Sequence, residues 1–108
     1  MGTAVYILGG SQTDFSRNWA REDLEVYDMF SEVLRDAISD AAIEPGQIEV
    51  GHVGNFVADL FAGQGLIGGF FGQVYPELAM LPTSRHEAAC ASGSMAILGA
   101  MRDIEAGH

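Results

Sequence analysis

Apolar residues recur along this chain in runs whose spacing alternates between strand-like and helix-like. Residues 3–8 are almost all apolar, which favours a strand buried on both faces, as in the middle of an α/β sheet. Residues 23–42 place apolar side chains three and four positions apart and acidic ones between them, and Pro45 follows. This pattern predicts an amphipathic helix. A second strand is predicted within residues 48–57, most strongly over 52–57.

The second half of the chain repeats the alternation. Between residues 63 and 75 the apolar spacing fits a helix, with glycines where another backbone comes close; a flexible flap is the alternative. Residues 83–89 predict a third extended segment, and residues 91–106 predict a third long helix with Gly107 at its C-cap. The order β-α-β-α-β-α predicts an α/β fold with a mostly parallel sheet covered by helices. The glycine-rich helix is also a candidate for contact between subunits, with core packing as its alternative.

Composition narrows the classes of partner. The chain has 108 residues, 48% of them hydrophobic, which is enough for one modest domain with its own core. Its formal charge is −10, with five arginines and no lysine. Such a surface repels phosphates, so we expect neither nucleic acid nor an anionic membrane as a partner. No apolar run reaches the length of a transmembrane helix.

A single cysteine excludes an internal disulfide and a cysteine-based metal cluster. It fits a reducing setting, and the first residues lack the basic and long apolar regions of a signal peptide, so we expect a cytoplasmic protein. His52 has no second His, Asp or Glu at metal-binding spacing, which favours a structural role. Asn55, near the end of the second predicted strand, could line a site.

That cysteine, Cys90, lies among small residues at a predicted strand-to-helix turn. A lone cysteine is commonly a small buried apolar residue. A turn of this kind instead exposes a side chain at the carboxyl end of a sheet, and the helix N-terminus there favours a thiolate. Nearby serines are rival nucleophiles, although no His/Asp pair is identifiable to activate one. His86 is four residues before Cys90, and an extended segment would separate them by roughly 13 Å, so it is not a convincing base.

These residues also carry a resemblance to a known family. The chain resembles the N-terminal part of the thiolases, the acetyl-CoA acetyltransferases and 3-ketoacyl-CoA thiolases, and is most similar to their sterol-carrier-protein-type and archaeal branch. The matching stretches are residues 9–15, 47–56, 63–65 and 102–107, and above all Pro82-Thr83-Ser84-Arg85-His86-Glu87-Ala88-Ala89-Cys90-Ala91-Ser92-Gly93-Ser94-Met95-Ala96.

The resemblance implies a layered α/β fold of two similar halves and a loop region that binds coenzyme A. It implies that Cys90 is the acyl-accepting nucleophile of an acyltransferase, which forms an acyl-cysteine and then performs Claisen condensation or thiolytic cleavage. The Cys90 N–H is similar in position to one oxyanion donor of the family. Coenzyme A thioesters are the implied substrates, with no permanently bound cofactor. The implied assembly is a homodimer or dimer of dimers, with a possible OB-fold partner of the DUF35 type.

The chain also departs from the family in length, because a complete thiolase is several times longer. In that family the activating histidine, the second cysteine and the coenzyme-binding loop lie in parts that residues 1–108 do not match. We therefore expect residues 1–108 to be the N-terminal part of a thiolase-like N-terminal domain, with the C-terminal half absent, and to be inactive alone. The alternatives are another condensing enzyme, such as a 3-ketoacyl synthase or hydroxymethylglutaryl-CoA synthase, and a non-catalytic subunit of a thiolase/DUF35-type assembly.

Overall fold

A two-stranded parallel sheet organises the fold in the computed structural model, which describes residues 2–108. Strand β1 pairs with strand β2 so that Gly51 faces Thr83 and Gly54 faces His86. The strands are β1 (Gly51–Gly54) and β2 (Thr83–His86), and the α-helices of the described residues are α1 (Val26–Ala41), α2 (Ala58–Ala62), α3 (Phe70–Val74) and α4 (Ser92–Ala106). Short 3₁₀ helices cover Pro45–Gln47, Ile67–Gly69, Pro76–Leu78 and Ala89–Ala91.

Helix α4 packs on one face of the sheet, and the segment from Ile67 through α3 packs on the other. Most of the buried apolar side chains come from this second layer and from the turn after it: Ile67, Phe70, Phe71, Val74 and Leu78. Helix α1 joins the same core through aromatic rings that meet edge to face. The Phe70 ring lies 5.3 Å from the Tyr27 ring and 5.4 Å from the Phe30 ring, between centroids. Offset and edge-to-face pairs of this kind stabilise a core beyond the area that they bury.

The predicted first strand is wrong as secondary structure. Residues 3–8 belong to no strand, and the side chains of Tyr6, Ile7 and Leu8 are exposed. A strand requires a neighbouring strand for its backbone hydrogen bonds, and none of the described residues supplies one here. The chain instead runs along α1, where the Gly10 N–H donates to Asp40 Oδ2 at 2.9 Å.

The single helix predicted over residues 63–75 is also wrong. Gly63 and Leu66 both adopt left-handed backbone conformations, with φ of 66° and 51°, and these interrupt the helical path. The close approach predicted for the glycines is confirmed at Gly72, where a Cβ would lie 3.1 Å from the Cα of Ala79. The segment therefore contributes to the core as short helical turns rather than as one continuous helix.

The remaining predicted elements are confirmed with shorter bounds, and the α/β class is confirmed. Helix α1 begins at Val26 rather than at residue 23, because the Glu25 N–H donates to the Asp28 carboxylate in a capping box. Helix α4 ends as predicted, with Gly107 left-handed at its C-cap. Among residues 2–108, no helix is both long enough and apolar enough to cross a membrane.

Candidate active site

Cys90 lies on the tight connection between β2 and α4. Strand β2 ends at His86, the 3₁₀ turn Ala89–Ala91 follows, and α4 begins at Ser92. The thiol is free and the residue is exposed, which confirms the predicted strand-to-helix turn and excludes the alternative of a buried cysteine. A side chain here lies at the N-terminus of a 15-residue helix, where unpaired N–H groups and the helix dipole favour negative charge.

The backbone before Cys90 is strained. Ala89 has a φ of 48°, in the left-handed region that residues with a side chain rarely enter, and Ala88 has φ −156° and ψ 47°. A left-handed conformation costs a non-glycine residue roughly 1–2 kcal/mol. The Ala91 N–H donates to the Ala88 carbonyl at 2.8 Å, and the backbone bonds of residues 2–108 leave the Cys90 N–H without an acceptor. The turn therefore presents both a thiol and a free N–H.

Ser92 is the buried polar residue of this turn, only 5% exposed. Its Oγ accepts the Ala88 N–H at 3.0 Å and donates to the Ala89 carbonyl at 2.7 Å. Because both bonds close the turn on itself, this hydroxyl is not a rival nucleophile to the Cys90 thiol. The sequence pattern indicates Ser92 only as a possible nucleophile.

Strand β1 sets the position of the turn through Gly54. A Cβ on Gly54 would lie 2.3 Å from the carbonyl oxygen of Ser92 and 2.7 Å from the backbone nitrogen of Gly93. Only glycine allows the start of α4 to rest directly on the strand. The location of Cys90 therefore depends on the end of β1 as well as on β2.

A second polar cluster lies under the later part of α4. His52 Nδ1 is 2.8 Å from His86 Nε2, and His52 Nε2 is 2.5 Å from Asp103 Oδ2. The carboxylate only accepts, so with neutral rings His52 donates from Nε2 and accepts from His86 Nε2–H. Gly99 makes room for both rings, because a Cβ there would lie 2.9 Å from each. These bonds give His52 the structural role predicted from the sequence.

This cluster is remote from the thiol. Gly99 follows Ser92 by seven residues, which is about 10 Å along an α-helix. The His86 ring is therefore held near the middle of α4 by His52, which confirms that His86 is not a convincing base for Cys90. No group of three or more His, Cys, Asp or Glu residues within 2–108 has the arrangement of a metal site.

The carboxyl edge of the sheet beside the turn holds a cleft of about 420 Å³. Arg85 and Asp59 both line this cleft, and the Arg85 guanidinium donates to Asp59 Oδ1 at 2.6 Å. This hydrogen bond holds the pKa of Asp59 below its usual value and raises the pKa of Arg85. Asn55 Oδ1 accepts the N–H of Ala58, the first residue of α2, at 2.9 Å. Asn55 directly follows the last residue of β1, at the strand end where the sequence placed it. Exposed Phe56 gives the cleft an apolar wall.

Comparison with known proteins agrees with this geometry. Residues 5–108 match the model of the thiolase N-terminal domain. An acetyl-CoA acetyltransferase of Methanothermobacter thermautotrophicus is 35% identical over 104 residues, which cover 96% of this chain and 26% of that protein. An acetyl-CoA acetyltransferase of Methanocaldococcus jannaschii is 35% identical over 103 residues, covering 95% of this chain and 25% of that protein. The chain thus spans about a quarter of the length of these relatives. It belongs to the thiolase family, within the N-terminal domain.

Proposed function

We propose that the full-length protein is a thiolase-type acyltransferase that acts on coenzyme A thioesters through Cys90. The observation that carries the proposal is the exposed Cys90 thiol on a strained turn at the N-terminus of α4. The two relatives named acetyl-CoA acetyltransferase, which match nearly all of this chain, support the same reaction class.

In the first half-reaction the Cys90 thiolate attacks the thioester carbonyl. The unpaired Cys90 N–H lies beside the attacking sulfur, where it can donate to the oxyanion that develops on the carbonyl oxygen. Collapse of the tetrahedral intermediate breaks the bond to the sulfur of coenzyme A. The leaving thiolate takes up a proton, which yields free coenzyme A and an acyl-cysteine.

In the second half-reaction a base removes a proton from the α-carbon of another acyl-CoA. The carbanion attacks the acyl-cysteine carbonyl, a carbon–carbon bond forms, and 3-ketoacyl-CoA leaves as the Cys90 thiolate is restored. The reverse sequence is thiolytic cleavage by coenzyme A. Among the described residues, His86 does not serve as a base at Cys90, since His52 holds its ring near the middle of α4. We therefore expect residues 1–108 alone to be inactive, because general acid–base groups contribute about 100- to 10,000-fold.

Mass spectrometry of the intact full-length protein after incubation with acetyl-CoA tests the nucleophile. We expect one acetyl group per chain, mapped to Cys90 and absent from Cys90→Ala. Ser94→Ala is the matched control, because Ser94 is an exposed neighbour on the first turn of α4. If Cys90→Ala kept every activity of the assembly, the protein would be a non-catalytic subunit instead.

Product analysis separates the thiolase reaction from those of other condensing enzymes. We expect acetyl-CoA to serve as the donor of the carbanion; a requirement for malonyl donors would identify a 3-ketoacyl synthase, and a hydroxymethylglutaryl product would identify the corresponding synthase. We also propose that the protein is cytoplasmic and forms a homodimer or dimer of dimers, with a DUF35-type OB-fold partner. Analytical ultracentrifugation of the full-length protein, with and without such a partner, measures the assembly.

A further inference from the structure

Ser92 occupies an unusual position relative to Cys90. Its hydroxyl lies two residues after the thiol in the chain, yet it bonds to the two residues before it. Cys90 is therefore enclosed in a ring that runs from Ala88 and Ala89 through the Ser92 side chain. We infer that Ser92 is a positioning residue for the Cys90 nucleophile, an inference that rests on the proposed function.

The backbone conformation before Cys90 needs support from another part of the turn. Ala88 and Ala89 have backbone conformations that alanine does not favour, and glycine is absent from both positions. Something outside their own preferences must hold them. The Ser92 hydroxyl bonds to both the Ala88 N–H and the Ala89 carbonyl, so one oxygen ties together the two residues with unfavoured backbone angles. Removing the hydroxyl leaves the Ala88 N–H without its acceptor and leaves the Ala89 carbonyl with only the Ser92 N–H, which frees the turn to relax.

Ser92 is also packed tightly against the sheet. Its main-chain carbonyl rests on Gly54 of β1, where no space for a Cβ remains, and its side chain is buried. A hydroxyl fixed by the sheet can transmit that position to the turn. The sulfur and the N–H of Cys90 are then aimed together, and both must be aligned with the thioester carbonyl in the acylation step. A misplacement of about 1 Å in such a step can lower the rate about 100-fold.

The test compares Ser92→Ala, Ser92→Thr and Ser94→Ala in the full-length protein. The single-turnover rate of Cys90 acetylation is measured over a range of acetyl-CoA concentrations, together with the urea unfolding midpoint. We expect Ser92→Ala to lower the maximal acetylation rate about 10- to 100-fold while the half-saturating concentration stays within about twofold. Ser92→Thr keeps the hydroxyl and should recover most of the rate, and Ser94→Ala should match the wild type.

Two results would overturn the inference. One is a wild-type acetylation rate in Ser92→Ala. The other is an equal loss in Ser92→Ala and Ser92→Thr that parallels the fall in unfolding midpoint, because Ser92 would then serve the fold only.

Alkylation of Cys90 by iodoacetamide, followed as a function of pH, keeps this test separate from the proposed function. If the wild type forms no acetyl adduct, the proposed function fails, but the alkylation profile still reports how the thiol is held. We expect the rate of Cys90 alkylation in Ser92→Ala to differ about tenfold from the wild-type rate at the same pH. The alkylation profile of Ser92→Thr should coincide with that of the wild type. Identical profiles for Ser92→Ala and the wild type would also overturn the inference.

Discussion

Replacing Gly54 by alanine is the sharpest perturbation that the structure offers, because it adds one carbon atom where the strand supports the nucleophile turn. The new Cβ would lie 2.3 Å from the Ser92 carbonyl oxygen, whereas ordinary contacts begin at 3.4 Å. The backbone of α4 must therefore move by about 1 Å or the strand must bend away. Overpacking of this kind costs about 1–3 kcal/mol, and backbone atoms cannot turn aside as a side chain would.

We expect Gly54→Ala to lower the unfolding free energy of the full-length protein by about 2 kcal/mol and the Cys90 acetylation rate by about 100-fold. The matched control is Gly93→Ala, since a Cβ at Gly93 has nothing within 4 Å. Gly93 lies in the first turn of α4, so alanine there should be neutral or should raise the unfolding free energy by up to about 1 kcal/mol.

Urea unfolding and single-turnover acetylation measure the two effects on the same preparations. Acetylation of Gly54→Ala as fast as the wild type would refute a coupling between the strand and the nucleophile turn. An equal loss of activity in Gly93→Ala and Gly54→Ala would refute it as well. A loss of stability without a loss of acetylation rate would mean that the strand supports the helix but does not aim the thiol.

Three further predictions concern the rest of the domain. Gly99→Ala brings a Cβ within 2.9 Å of two histidine rings, so we expect a loss of about 1–3 kcal/mol in urea unfolding, with Gly93→Ala again as the control. The hydrogen bond from Arg85 makes the pKa of Asp59 lower in the folded protein than in the unfolded chain. The Asp59 carboxylate therefore stabilises the fold at any pH above its pKa in the unfolded chain. This stabilisation is lost as the pH falls through the pKa of Asp59 in the folded protein. The difference in unfolding midpoint between wild type and Asp59→Asn should therefore shrink as the pH falls below about 4, and a difference that grew there would contradict the ion pair. Ile67→Ala should lower the unfolding free energy by about 2–5 kcal/mol, because Ile67 is only 2% exposed, whereas Leu66→Ala, at an 87% exposed neighbour, should change it little.

Local patterns in the sequence predicted the parts of the fold that local chemistry determines. Helix α4 and its left-handed Gly107 cap could be predicted because apolar spacing and a C-terminal glycine act within one segment. The turn at Cys90 could be predicted for the same reason, from small residues between a strand and a helix. The prediction of a first strand was wrong because residues 3–8 have the apolar character of a strand but no strand beside them among the described residues.

Contacts between distant segments could not be predicted in this way. The packing of Gly54 on Ser92 joins residues 38 positions apart, and the His52–Asp103 bond joins residues 51 apart. Both depend on the register of β1 against β2 and on the rotation of α4 about its axis, which periodicity does not determine.

The unpaired N–H of Cys90 has a consequence for the dynamics of the turn. Amide exchange with solvent requires an N–H that is free of an acceptor, and it does not require the backbone to move. The Ala88 and Ala91 amides are hydrogen-bonded, whereas the amides of Ala89 and Cys90 between them have no acceptor among the described residues. In a hydrogen-exchange experiment the Ala89 and Cys90 amides should therefore exchange fast between two slow neighbours. A pattern of this kind would mark a rigid segment that keeps the Cys90 N–H free for a substrate, whereas fast exchange at all four amides would mark a loose loop.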